Sequence, residues 1–125
     1  MPQDPAAVAR AITPDYALGG HTASLGLCWL PAGTFPGFPE GMAIGQHGSW
    51  NRSTLSGYKV IFVPFEEGRP SGDPLDVLTG FLSPEGEARG RPVGVAIDQQ
   101  GALLVADDVG NRIWRVTAVD PGAAE

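Results

Sequence analysis

From Tyr16 onward the apolar residues come in short runs, each broken by turn residues. "HTASLGLCWL" (21–30) stops at Pro31, and "GMAIGQHG" (41–48) follows the Pro/Gly/Phe loop "PAGTFPGFPE". "GYKVIFVPF" (57–65) is dense in β-branched and aromatic side chains, which suit a pleated, half-buried surface. "PLDVLTGFL" (74–82) comes after the turn "EEGRPSGD". Three more runs lie at Val93–Ile97, Ala102–Ala106 and Ile113–Thr117. The turns between them, "DQQG" and "DVGN", carry the Gly, Asp and Asn that tight hairpins need. No window of ten or more residues keeps apolar positions at i, i+3, i+4 and i+7. The pattern predicts seven strands and no helix, an all-β chain. Residues 1–15, rich in Pro and Ala, read as a loose lead-in.

The spacing says more than the count. Four antiparallel strands, a longer Pro/Gly loop and three more strands have the rhythm of a β-propeller fragment of about two blades, each a four-stranded meander. The expected partial propeller domain spans residues 16–125. One blade covers 16–82, and an incomplete closing blade covers 91–118. Propellers close by letting one terminus complete the blade begun by the other, so the second unit expects its fourth strand from elsewhere. Residues 1–15 lack the alternation to supply it. A seven-stranded sandwich fits the count but not the four-plus-three spacing. Open strand edges near 21–30 and 113–117 predict self-association.

Composition changes this picture little. The 125 residues include 18 Gly and 12 Pro, and 42% of the chain is hydrophobic, which allows a core while interrupting helices. A formal charge of −6 argues against nucleic acid or an anionic membrane as partner, since either would repel the chain. No apolar run approaches the ~18 residues that a membrane-spanning helix requires. "MPQDPAAVARAI" has neither a basic start nor a continuous apolar core, so no export signal is visible and the compartment stays open. The single cysteine, Cys28, sits in an apolar run and is expected to be a buried, inert thiol. Asp107 and Asp108, before "VGN", are expected to shape a turn rather than bind a metal. Lys59 is expected to face solvent, Trp29 and Trp114 the core, and Trp50 a ligand-facing loop.

"HTASLGLCW", "GMAIGQHGSWNRSTLSGYKVIFVPF" and "GRPVGVAID…LLVADDVGNRIWRV" resemble the C-terminal part of the glucose/sorbosone dehydrogenases. The "GQHGSWNRS…GYKVIFVPF" block is the specific part and points to the L-sorbosone-dehydrogenase-like branch. The resemblance runs from Tyr16 to Thr117 and covers about the last third of a full-length member. It implies two blades of a six-bladed propeller whose cofactor is pyrroloquinoline quinone (PQQ), with calcium orienting and polarising PQQ in the full-length family. It further implies oxidation of a sugar or aldehyde-hydrate hydroxyl by hydride transfer to PQQ, and a periplasmic location for full-length relatives. The general base and the calcium site of such enzymes come from earlier blades, so the chain is expected to be inactive alone.

Four residues are carried over by this resemblance as cofactor-binding candidates: His21, His47, Arg52 and Arg91. His21 falls near a Thr that contacts PQQ, Arg52 where relatives place a Lys, and His47 just upstream of it. Arg91 matches the first Arg of an R-x-R pair, and the second position is Val93, which cannot bind a carboxylate; Arg89 is a substitute. Arg suits the three carboxylates of PQQ because its planar fork matches them. Each has an ordinary alternative: a solvated Arg in a polar loop, or a surface His at a strand start. A rival reading is a non-catalytic propeller module that assembles, for instance as trimers, and binds a small ligand. A third is a truncated reading frame with no separate role.

Overall fold

The structure, a computed structural model, describes residues 3–50 and 53–119. Eight strands in two antiparallel sheets follow a short helix, α1 (Pro5–Arg10). The first sheet is a meander of β1 (Ser24–Leu30), β2 (Gly41–Gln46) and β3 (Lys59–Glu66). Two short strands share the outer edge of β3. β4 (Arg69–Pro70) pairs with its end, Phe65 opposite Pro70, and β5 (Leu75–Leu78) lies further back, Ile61 opposite Asp76. The second sheet is β6 (Pro92–Ile97), β7 (Leu103–Asp107) and β8 (Arg112–Val116), in that order. The sheets are separate rather than interleaved. The chain is therefore a β-propeller fragment with a full blade followed by a three-stranded one, and the sandwich alternative is excluded.

Alternation along the strands makes the core. Leu30, Phe35, Ala43, Val60 and Phe62 of the first unit meet Leu103 and Val105 of the second, all buried. Ile44, Ile61 and Val63 occupy the opposite face of the first sheet, where Tyr16 and Leu18 of the lead-in cover them. The Tyr16 hydroxyl donates to the Gly72 carbonyl at 3.1 Å, tying that segment down. β6 crosses β1 and β2 so closely that side chains are not tolerated there. A Cβ on Gly26 or Gly45 would come within 3.0 Å of the Val93 carbonyl oxygen. Glycines at those two positions let one blade seat on the next.

Several expectations need correction. The lead-in is not wholly loose, because α1 forms where Asp4 accepts N–H bonds from Ala6 and Ala7 at 3.1 and 3.2 Å. None of its residues is buried, so no apolar periodicity marks it. The fourth run of the first unit yields β5 plus a bridge between Leu82 and Ala88, not one long strand. Trp29 and Trp114 are not core residues, being 41% and 36% exposed. Trp29 points with Leu27 to the face of β1 away from the second sheet, and Trp114 lies on the edge strand β8. Lys59 is not simply solvated: its ammonium pairs with Asp76 at 2.9 Å across β3 and β5.

Candidate functional site

Antiparallel pairing brings the end of β2, the start of β3, the start of β6 and the end of β7 to one end of the fragment. The side chains gathered there form one hydrogen-bonded cluster. Its base is Asp107, the last residue of β7 and 3% exposed. One carboxylate oxygen accepts the backbone N–H of Arg91 at 2.8 Å and of Gly110 at 2.7 Å, and the other accepts the Trp114 indole at 3.2 Å. Desolvation pulls the Asp107 carboxyl upward. The N–H groups of Gly110, Arg91, Trp114 and Val109 together outweigh it, so its pKa lies below the ordinary value. Asp107 thereby fixes the β7–β8 turn and the start of β6 at once.

Arg91, held at its backbone, extends its guanidinium across to the first blade. One terminal nitrogen donates to the Tyr58 hydroxyl at 2.7 Å and to the Ser49 carbonyl at 3.1 Å. The guanidinium carbon lies 4.8 Å from the centre of the Tyr58 ring, within cation–π range. The Tyr58 hydroxyl donates in turn to the Ser49 carbonyl. Tyr58 is buried and takes a left-handed backbone (φ 60°), uncommon for a bulky residue. Its ring packs over Gly48, where any Cβ would come within 3.0 Å of ring carbons. Gly48 thus makes the room that Tyr58 needs.

His47 completes the cluster. Its Nδ1 meets the second terminal nitrogen of Arg91 at 3.3 Å, and its Nε2 meets the Asp108 carboxylate at 3.0 and 3.2 Å. Arg is a donor only, so Nδ1 accepts and Nε2–H donates, the neutral tautomer. Asp108 belongs to the β7–β8 turn and His47 to the loop after β2, so this contact also bridges the blades.

The structure brings His47 and Arg91 together. His21 lies at the same end but outside the cluster. It is exposed in a turn (φ 61°), and its carbonyl accepts from the Ser56 hydroxyl at 3.2 Å. Arg52 lies outside the described residues, while Trp50 is 78% exposed. Arg89 does not substitute beside Arg91; it lines a separate cleft with Phe81 and Trp114. Val93 faces β1 and β2 with its carbonyl. Among the described residues no three His, Cys, Asp or Glu side chains gather as a metal site would need. The reading of sequence missed Tyr58, Ser49 and the role of Asp108 as the partner of His47. The one available signal was the "HGS…GY" pattern, two glycines flanking a loop that ends in an aromatic residue.

Residues 2–119 match the sequence pattern described as TrAA12-like, and the chain belongs to that family. It is 36% identical over 103 residues to an uncharacterized protein of Borreliella burgdorferi, covering 81% of this chain. Among solved structures it is similar to the holo form of the PQQ domain of pyranose dehydrogenase from Coprinopsis cinerea, with a TM-score of 0.66, 30% identity and 85% of this chain covered. It is also similar to the calcium structure of the Trichoderma reesei carbohydrate-active enzyme of family AA12, with a TM-score of 0.59, 26% identity and 74% covered. The chain spans 27% of the Borreliella protein and 29% and 24% of the two solved chains. The likeness is thus to part of a sugar-oxidoreductase-like propeller.

Proposed function

We propose that this chain forms part of the cofactor end of a PQQ-dependent sugar oxidoreductase, with Arg91 and His47 facing the cofactor, His21 at its margin, and Arg52 a further cofactor-binding candidate. One observation carries the reading. Arg91, the residue that resembles a PQQ-binding Arg, is pre-positioned by Asp107, Tyr58 and Ser49. Its guanidinium has five N–H donors. Among the described residues three are spent, on Tyr58, Ser49 and His47, which leaves Nε–H and one terminal N–H to donate. A half-buried, stacked guanidinium with unspent donors fits a planar polycarboxylate, because charge-assisted bonds gain strength where water is partly excluded.

PQQ, when bound, supplies the two-electron acceptor for hydride from a sugar or aldehyde hydrate, and L-sorbosone-like substrates are the finer expectation. Calcium would be held by parts of the longer protein. Within this chain Arg91 binds and orients, and Asp108 keeps His47 in the tautomer whose Nδ1 meets Arg91. The test is a titration of PQQ, with calcium present, into the protein and into Arg91→Ala and His47→Ala. Loss of one charge-assisted bond weakens binding by about 1.5–3 kcal/mol, so Arg91→Ala should bind PQQ at least tenfold less tightly. Unchanged affinity in Arg91→Ala would overturn the assignment.

A further inference from the structure

His47, in the contacts it makes here, has no donor to offer a carboxylate. Both ring nitrogens are engaged inside the protein: Nε2–H donates to the Asp108 carboxylate at 3.0 and 3.2 Å, and Nδ1 accepts from the Arg91 guanidinium at 3.3 Å. A neutral imidazole carries one donor and one acceptor, and the donor is spent on Asp108. Nδ1 has only a lone pair left, and so does each oxygen of a carboxylate. The His47 side chain is nevertheless 22% exposed, enough for a ligand to reach. A carboxylate arriving at this end therefore bonds to His47 in one way alone, after a proton is added at Nδ1.

The charges around the ring favour that step once a carboxylate is present. Asp108, in the β7–β8 turn, holds the imidazole with both oxygens and is the natural counter-charge of an imidazolium. Arg91, at the start of β6, opposes protonation by itself, since two cations would meet across 3.3 Å. A carboxylate reverses this balance. It accepts from both groups at once and replaces the cation–cation contact by charge-assisted bonds. The other groups packed on the pair do not compete. Asp107, from β7, is committed to the backbone N–H groups of Arg91 and Gly110 and to the Trp114 indole. Tyr58, before β3, spends its hydroxyl on Arg91 and on the Ser49 carbonyl.

We infer that a carboxylate ligand is taken up at this end together with a proton, which passes from solvent to Nδ1 of His47. The Arg91 N–H that bonds to Nδ1 is released in exchange, and both residues then donate to the ligand. Asp108, which has no donor of its own, is the positioning residue for the exchange: it holds the ring and carries the balancing charge. The inference deepens the proposed function and rests on its premise that a carboxylate meets Arg91. By linkage, a proton bound with the ligand makes affinity rise as pH falls, by up to about tenfold per pH unit for as long as free His47 is neutral.

The experiment titrates two probes, PQQ with calcium and a pyridine dicarboxylate without it, into the full chain labelled at its imidazole nitrogens, at pH 7 and pH 8. Both probes should bind about fivefold tighter at pH 7. The Nδ1 signal of His47 should move from the range of an unprotonated ring nitrogen to that of a protonated one. Calorimetry at pH 8 in two buffers of different ionisation heat should show net proton uptake. His47→Gln, with signal dispersion kept, should bind equally at the two pH values. Asp108→Asn should bind about tenfold more weakly at pH 7 and lose most of the pH dependence, and Asp108→Glu should restore both. Weakening by Asp108→Asn that is equal at both pH values would overturn its positioning role. Binding that depends on Arg91 but takes up no proton would overturn the inference and leave the proposed function standing. Proton-coupled binding of the pyridine dicarboxylate without binding of PQQ would do the reverse. No binding of either probe at millimolar concentration would overturn both.

Discussion

Arg91 and Tyr58 meet twice across the blade boundary: the guanidinium carbon lies 4.8 Å from the ring centre, and a terminal nitrogen donates to the hydroxyl at 2.7 Å. The tyrosine is therefore both a platform and an acceptor, and it separates the two roles experimentally. Tyr58→Phe keeps the ring but leaves one Arg91 donor without its acceptor, while the Ser49 carbonyl keeps the bond from Arg91. The expected cost is about 1–2 kcal/mol in urea-unfolding stability. PQQ affinity should fall too, by less than in Arg91→Ala, because stacking persists. A Phe variant with unaltered stability would show that the hydroxyl does not hold the cluster.

Asp107 should set the acid limit of the fold. Its pKa is lowered in the folded state, so its stabilisation is complete above the unfolded carboxylate value of about 3.9 and is lost as pH falls through the folded one. Asp107→Asn should cost about 2 kcal/mol at pH 7, since the charged acceptor of Arg91, Gly110 and Trp114 is replaced by a neutral one. The gap between parent and variant should close as urea curves are taken from pH 5 to pH 2. A gap that stays constant over that range would remove Asp107 from the acid response.

Blade seating depends on two glycines facing Val93. Gly26→Ala places a methyl against backbone atoms of Val93 and Gly94, which cannot swing aside, and should destabilise by about 2–3 kcal/mol. Gly94→Ala meets nothing within 4 Å and should change stability by no more than about 0.5 kcal/mol. Thermal melts of the two variants check the contrast. Equal effects would mean that the approach of β6 is looser than its backbone positions indicate.

Cys28 is half-buried beside the inter-blade core, and burial raises its pKa. A thiol reagent at pH 8.5 should modify it roughly tenfold more slowly in the native protein than in urea, because the thiolate is the reactive form. Rapid native labelling would place the thiol in solvent.

Strand content and the four-plus-three division were legible because they are local properties. Alternation, β-branched runs and Gly/Asp/Asn turns act over a few residues, and "VIFV" or "LLVAD" would form strands in many surroundings. The helix at Pro5–Arg10 was not legible, since a cap and six exposed residues leave no apolar stripe. The tryptophans were misassigned for a related reason. Size and hydrophobicity suggest burial, but exposure of Trp29 and Trp114 depends on which sheet face and which edge lack a neighbour.

The sequence by itself determined the all-β class, the blade rhythm and, through its resemblance, Arg91 and His47 as candidates. Only tertiary structure decided that these two touch, that Tyr58 and Ser49 hold the guanidinium, and that Asp107 anchors it from behind. Those contacts join residues 16 to 61 positions apart in the chain, from Arg91–Asp107 to His47–Asp108. They exist because two sheets, each specified by short-range pattern, end at the same place once Gly26 and Gly45 let β6 seat against β1 and β2. Local pattern fixes each sheet, whereas the approach of the two sheets sets which side chains meet.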